Sequence, residues 1–547
     1  MLTTSYLRAL ARGSRHIPSA ATIDRNVVYG CPEATCRIDF FFTVSGRESV
    51  KQTLMPVAYP SAMNEQIMRA ETRSLPWREA MPWLIGTGVY ALLIFLGPQL
   101  LNDPDSYWHL VVGRWIVEHG AVPYVDPFSY TMLGAHWIAF EWLSEVAYAT
   151  AFGISGWSGV VALAAVAIAL AFGLLTHFLL RELAVAHVLI LTMAALVLAS
   201  PHMLARPHVL ALPVMVAWTG ALVRSMDYHL RPPYLALPLL ILWANLHGSV
   251  ALGVALIGPA ALEVLWQAKR SEWRLVGMKW LLFAACAMVA ASITPYGPRT
   301  LLMPLTTFGI GEALTTIVEW RPQDFSKLGG FELVLLLAMF ALSRGIALPP
   351  MRVLVTLGLM HLALSQSRHA DILAMLAPLF LARPIAEHFK CRNELNAPVL
   401  HAPNRGVVAG IIAVAALTTG IALTRDVAPD PRNTPQAAIV AADLPKAGPV
   451  LNEYAFGGYL IYAGIAPFID GRGELYGAKL MTRHYRAMLL HDLPDFLKLL
   501  DEYRIGATLL SPSTPAVALL DRLPGWERVY ADHIAVVHKR SASVGAR

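Results

Sequence analysis

The stretch ALLIFLGPQLLNDPDSYWHLVVGRWI, residues 91–116, changes character in its middle. Its first half is almost wholly apolar. Its second half opens with two carboxylates two positions apart, Asp103 and Asp105, followed by Tyr107, Trp108 and His109. A long, nearly uncharged run is what a helix needs to cross the ~30 Å hydrocarbon layer of a bilayer. Carboxylates placed at the end of such a run serve either as a helix cap or as chemistry.

The rest of the chain extends the membrane reading. Of its 547 residues 56% are hydrophobic and only 15% charged, with a mean hydropathy of +0.51. Soluble domains carry about 25% charged residues. Apolar runs at 81–98, 158–180, 185–200, 207–223, 233–247, 249–267, 276–293, 331–347, 350–365, 370–386 and 406–424 predict about eleven transmembrane helices. The net charge of +6 calls for no nucleic acid, because basic residues collect in cytoplasmic loops. Cys31, Cys36, Cys286 and Cys391 give no disulfide framework, and the C-x4-C of Cys31 and Cys36 lacks the second pair of a zinc site. Residues 1–78 hold no span and are expected to be a disordered cytoplasmic tail or an over-extended start, with initiation at Met55 or Met63.

Lysine and arginine set the orientation. Arg69, Arg73 and Arg78 precede the first span and place the N-terminus inside. Counted from there, the cytoplasmic loops hold Arg181, Arg224, Arg231, Lys269, Arg270, Arg274, Lys279, Arg344, Arg352, Lys390, Arg392 and Arg405. The outer face then gathers residues 99–157, 201–208, 245–249, 294–330 and 365–371, where most polar residues without a topogenic role lie. Ionisable groups at membrane depth are costly and mark functional sites. The chain is therefore expected to carry one aqueous site at the outer leaflet.

The first outer loop, 99–157, is expected to contain interfacial helices. Over 108–119, Trp108, Val111, Val112, Trp115 and Ile116 share one face, while His109, Gly113, Arg114 and Glu118 share another; Gly120 and Pro123 stop the helix. Residues 138–152 repeat the pattern, with Glu141, Ser144, Glu145 and Tyr148 on a polar face read as solvated. Residues 425–547 predict a small extracytoplasmic α/β domain, with strands at 449–454, 465–470, 505–511 and 533–538 and a helix over 491–503.

The order of these features resembles a known family. One span is followed by a loop reading D-P-D-S-Y-W-H-L-x-x-G-R-W-I, then P-Y-V-D-P-F-S-Y-T and H-W-x-x-x-E-W-L-S-E, then many spans. Later come A-N-L-H-G-S at 244–249, T-P-Y-G at 294–297, V-E-W at 318–320, S-R-H at 367–369, F-G-G-Y-L at 456–460 and F-I-D-G-R at 468–472. Over residues 80–480 this is similar to the GT-C superfamily of polyprenyl-phosphate-sugar-dependent glycosyltransferases, in an uncharacterised bacterial branch distantly related to protein O-mannosyltransferases and aminoarabinose transferases. The resemblance implies a GT-C-like transmembrane domain over 79–424. It also implies that an acidic residue of the first outer loop assists catalysis, a position matched by Asp103 and Asp105. The H-P-P or E-x-P motif of better-known members is missing; His136-Trp137 and Glu141-Trp142 stand in the comparable region.

Transfer of a sugar from a polyprenyl-phosphate donor to an extracytoplasmic glycan, lipid or protein needs a carboxylate for the acceptor hydroxyl and cations for the departing phosphate. Asp103 or Asp105 can be the base, with Asp103 slightly favoured. Arg206, Arg299, Arg321 and Arg368 offer guanidinium forks for phosphate, and His109, His247 and His369 can donate to it. Asp126, His136, Glu141 and Asn245 complete the expected substrate-binding set. The residues assign no cofactor outright, and Asp103, Asp105 and His109 could hold a divalent metal. The blander readings are that Asp103 or Asp105 caps the helix carrying Trp108, and that Asp126 before Pro127 caps a turn. Two other functional classes compete, a transporter or flippase of a lipid-linked or anionic substrate and a non-catalytic envelope assembly protein.

Overall fold

The computed structural model describes residues 76–229, 231–389, 405–425 and 427–541, and residues 74–547 form one compact unit. The expected N-terminal tail and the Cys31/Cys36 pair lie outside the described residues. Helix α1 spans Pro76–Phe95 and stops at Gly97-Pro98, where proline removes a backbone donor. Helix α2 spans Asp105–His119 and ends on Gly120 at φ 60°, the left-handed turn that glycine adopts without strain. Helix α3 runs Trp142–Glu182 through a break at Ser155 and Gly156. The second interfacial helix is thus continuous with a span, and residues 138–141 are not helical.

Among the described residues seven helices are long and apolar enough to cross a membrane: Trp142–Glu182, Val185–His202, Pro207–Asp227, Val250–Gln267, Arg270–Ala291, Ser367–His388 and Arg405–Ala422. Tyr234–Leu246, Gly330–Ser343 and Pro350–Ser365 coincide with expected spans but have only 10–17 residues. At ~1.5 Å per residue they reach at most about 26 Å, short of the hydrocarbon thickness. Leu281, Leu336, Phe340 and Leu417 stand exposed on helix surfaces, as lipid-facing residues do. Helices α1 and α3 approach closely because both carry glycine at the contact: a Cβ on Gly86 would lie 3.1 Å from Ala169 O, and one on Gly173 3.2 Å from Pro82 O.

One cytoplasmic-loop assignment changes. Arg352 is not a free topogenic charge but lies buried in Pro350–Ser365, where it bonds Asp227 at 2.5 Å and Glu263 at 2.8 Å.

A second hydrophobic core lies outside the helix bundle, and two distant parts of the chain share it. Trp108, Val112 and Ile116 of α2 and Trp137 pack with Leu451, Phe468, Ile469 and Phe496. The C-terminal segment supplies a four-stranded sheet in the order β1-β2-β4-β3. Strand β1 (Val450–Asn452) runs parallel to β2 (Ala507–Leu510); β4 (Val536–Arg540) runs antiparallel to both β2 and β3 (Trp526–Ala531). The expected strand at 465–470 reduces to one bridge, Val450 to Pro467. There the Asn452 side chain replaces a ladder, accepting from Phe468 N at 2.8 Å and donating to Ile469 O at 2.8 Å. Strand β3, reading W-E-R-V-Y-A, is an edge strand with exposed charged residues and no apolar alternation to announce it.

His109 and Gly113 are buried, because the side-chain-free surface of Gly113 lies directly against the Glu145 backbone. The face of α3 differs from expectation: Glu145, read as part of a solvated face, is only 1% exposed.

Candidate functional site

The two carboxylates flank the start of α2, Asp103 two residues before its first turn and Asp105 within it, in different roles. Asp103 Oδ1 accepts the Asp105 N–H at 2.8 Å, which satisfies an orphan amide of the helix start. Its Oδ2 pairs with Arg206 Nε. Asp105 accepts from Trp108 Nε1 at 3.1 Å and from Arg206 Nη2 at 3.1 Å. Arg206 precedes Pro207 and is held extended (φ −119°, ψ 159°), as a residue before proline prefers. Its remaining nitrogen pairs with Glu319, which also accepts from Arg368 at 3.1 Å. The Arg368 guanidinium lies 4.4 Å above the Trp320 ring. Charges of opposite sign thus alternate from Asp103 to Arg368.

A histidine–carboxylate group lies beside this chain. Glu141 meets His247 Nε2 at 3.0 Å and His109 Nε2 at 3.8 Å, while Glu145 meets His109 Nδ1 at 3.1 Å. His208 faces Asp371 at 3.7 Å. Ligand atoms of His109, Glu141 and Glu145 lie within 4.8 Å of one another, and Glu145 Oε2 is buried without a hydrogen-bond partner. These residues fit a divalent cation; Asp103 and Asp105, expected as its ligands, turn to Arg206 instead.

The C-terminal segment forms a third wall. Gly471, Gly473, Glu474 and Tyr454 line the same cavity as Asp105, His109, Glu141, Arg206, His247, Glu319, Arg368 and His369, which has a volume of about 430 Å³. Glu474 accepts from Trp137 Nε1 at 3.1 Å. Behind it, fully buried Arg472 bonds Asp126 and Asp470 at 2.6 Å each.

Burial sets the ionisation of these groups. Loss of water, with Asp103 adding its charge, pushes Asp105 up to about 7 against the pull of Arg206. Burial, with a smaller push from the Glu141 charge, raises Glu474 to about 7 as well. Glu319 goes the other way: burial opposes its charge, but Arg206 and Arg368 together hold it at about 2. Burial drives His109 down to about 3 despite Glu141, so its ring is the neutral form that binds metals.

The other expected residues lie elsewhere. Asp126 takes the Phe128 and Ser129 amides at 3.0 and 3.1 Å, the turn-capping pattern, besides its bond to Arg472. Asn245 joins helices, accepting from Trp142 Nε1 at 2.9 Å and donating to Ile241 O and Ile293 O. His136 faces exposed Arg299 at 3.4 Å, and exposed Arg321 donates to Thr315 O at 2.8 Å. None of these five lines the cavity. Conversely Glu319, His208, Asp371 and Tyr454 were not among the expected site residues. Glu319, His208 and Asp371 do sit in stretches named above, V-E-W, 201–208 and 365–371. Tyr454 carries no local signal, being one polar residue in a mixed stretch.

No protein-family model matches the chain, and no curated protein matches it. Among solved structures it is similar to the archaeal oligosaccharyltransferase AglB from Archaeoglobus fulgidus in complex with an inhibitory peptide and a dolichol-phosphate, at 12% identity and a TM-score of 0.47 over 79% of this chain and 69% of that one. It is also similar to ArnT from Cupriavidus metallidurans bound to undecaprenyl phosphate, at 14% identity and a TM-score of 0.47 over 84% of this chain and 98% of that one.

Proposed function

We propose that this membrane protein is a glycosyltransferase of the GT-C kind, moving a sugar from a polyprenyl-phosphate donor to a hydroxyl on an extracytoplasmic acceptor at the outer face of a bacterial inner membrane. One observation carries the reading: the Asp105 carboxylate shares a cavity with Arg206, Arg368 and five histidines, His109, His202, His208, His247 and His369, and with apolar residues that include Leu212, Met215, Leu252 and Phe308. That combination suits a substrate with an anionic centre and a hydrocarbon tail.

Asp105 accepts the proton of the attacking acceptor hydroxyl as its oxygen bonds to the anomeric carbon. The bond from that carbon to the phosphate oxygen breaks, and its electron pair leaves on the polyprenyl phosphate. Arg368 is the better phosphate ligand of the two guanidiniums, because Arg206 is already paired with three carboxylates while Arg368 is paired with one. A divalent cation bound by His109, Glu141 and Glu145 would add positive charge for the leaving phosphate.

The donor reading is tested by binding. The purified protein is expected to bind a polyprenyl phosphate in detergent and to ignore a nucleotide sugar; tight binding of the nucleotide sugar instead would sink the assignment.

A pH dependence follows from Asp105. Only its deprotonated form can take a proton, so turnover is expected to rise as pH climbs through about 7 and then level off. Stability changes in the opposite sense. The folded value lies above the ordinary 3.8, so the stabilising contribution of the bound proton is full below 3.8 and is lost as pH rises through about 7. Turnover and melting temperature measured together from pH 5 to pH 9, at roughly half-unit steps, check both signs, and Asp105→Asn should flatten both trends near pH 7.

A further inference from the structure

We infer that the C-terminal segment is part of the transfer site, with Gly471 acting as the positioning residue for Asp105. The inference rests on the reading of Asp105 as the working carboxylate, and it adds a partner 366 positions away in the chain (471 − 105).

The observation is a missing side chain. A Cβ on Gly471 would overlap Asp105 Oδ1, would lie 2.6 Å from Asp105 Cγ and 2.8 Å from Trp108 Nε1. Carbon atoms need ~3.5 Å or more, so any side chain at 471 evicts the carboxylate from its place. A second glycine makes the same approach possible: a Cβ on Gly458 would lie 2.5 Å from Pro104 O. Gly458 and Gly471 thus let the backbone of the C-terminal segment lie directly on Pro104-Asp105, while Gly457, whose Cβ would lie 2.6 Å from Asp470 Cα, packs that segment against itself.

The segment cannot easily retreat. Thr131 Oγ1 donates to Phe468 O at 2.7 Å, Asn452 brackets Phe468 and Ile469, and Arg472 is fixed between Asp126 and Asp470. Because the wall is rigid, the clash falls on Asp105. Its carboxylate is held on two sides by Trp108 Nε1 and Arg206, and the Gly471 backbone covers a third side. Rotation of its side chain to relieve the overlap would give up both hydrogen bonds. Gly471 therefore acts through Asp105, as a positioning residue.

A double-mutant cycle tests this on the full-length protein in detergent. The four proteins are wild type, Gly471→Ala, Asp105→Ala and the double mutant. Gly471→Ala is expected to lower the melting temperature by at least ~2 °C in the wild-type background and by much less in the Asp105→Ala background, where the overlapping carboxylate is gone. Turnover should fall ~10²-fold or more in Gly471→Ala, with no further loss when it is added to Asp105→Ala. If Gly471→Ala fails to fold, recovery of folded protein in the double mutant carries the same conclusion. Equal melting shifts in both backgrounds, no shift in either, or a double mutant that also fails to fold would each overturn the inference. The melting cycle needs no substrate. Failure of the glycosyltransferase reading shows separately, as wild-type protein that does not bind polyprenyl phosphate.

Discussion

Asp105→Asn is expected to lower sugar transfer by about 10²–10⁴-fold while leaving the fold intact. Asn keeps an oxygen to accept from Trp108 Nε1 and keeps the volume of the side chain, but it cannot take a proton at neutral pH. Arg206 is not stranded by the change, because Asp103 and Glu319 still pair with it. The helix start is also preserved, since Asp103, and not Asp105, accepts the first free amide. Asp103→Asn should behave differently. It retains the cap but breaks a buried ion pair with Arg206, so its main effect is expected on stability, with a smaller loss of turnover through a loosened Arg206. The comparison is made with purified variants at matched folded concentration, and in cells by mass spectrometry of envelope glycans with and without each variant. Full turnover in Asp105→Asn would leave the pair as a cap and an ion pair, and would remove Asp105 from the chemistry.

The largest stability effect is expected at Arg472. This side chain is fully buried, as are the Asp126 and Asp470 carboxylates that it bridges. Arg472→Met fills most of the volume but leaves two buried carboxylates facing each other without a cation. Breaking a buried pair by removing one partner costs about 3–5 kcal/mol. The stacking of the guanidinium, 4.7 Å from the Trp137 ring and 5.4 Å from Phe128, is lost as well. Arg483→Ala serves as the control: its pairs with Asp495 and Glu502 are partly solvated, and the change is expected at about 1 kcal/mol or less. Thermal melting and limited proteolysis of the C-terminal segment check the contrast. Similar losses in the two variants would mean that the Arg472 group is solvated in solution. Because Asp126 belongs to the segment between α2 and α3 and Asp470 to the C-terminal segment, Arg472→Met should also free the Gly471 wall and reduce turnover.

The membrane class was legible in the sequence because it depends on run length and charge density alone, which neighbours in the fold do not alter. Helix α2 was legible for a similar reason: its Asp-Pro start and glycine stop are local devices. Strand β3 and the bridge at Pro467 were not, because an edge strand needs no apolar alternation and a bridge needs only one partner. Polarity misled at Glu145, where a helix face read as solvated is covered by α2 at Gly113.

The candidate site divides along the same line. Residue type alone nominated Asp105, His109, Glu141, Arg206, His247, Arg368 and His369, since charged groups beside apolar runs are rare, and these residues line one cavity. Type alone equally nominated Arg299, Arg321, His136, Asn245 and Asp126, which have the same chemistry and face elsewhere. Separating the two groups takes the positions of segments hundreds of residues apart. The division of labour between Asp103 and Asp105 was open for the same reason. Their local sequence is nearly symmetric, and what distinguishes them is Arg206 on one side and the bare backbone of Gly471 on the other. Composition and run length placed this chain in a membrane with polar groups at the span ends. Which carboxylate meets the cavity was settled by close packing between distant segments, a property of contacts that no single stretch of the chain contains.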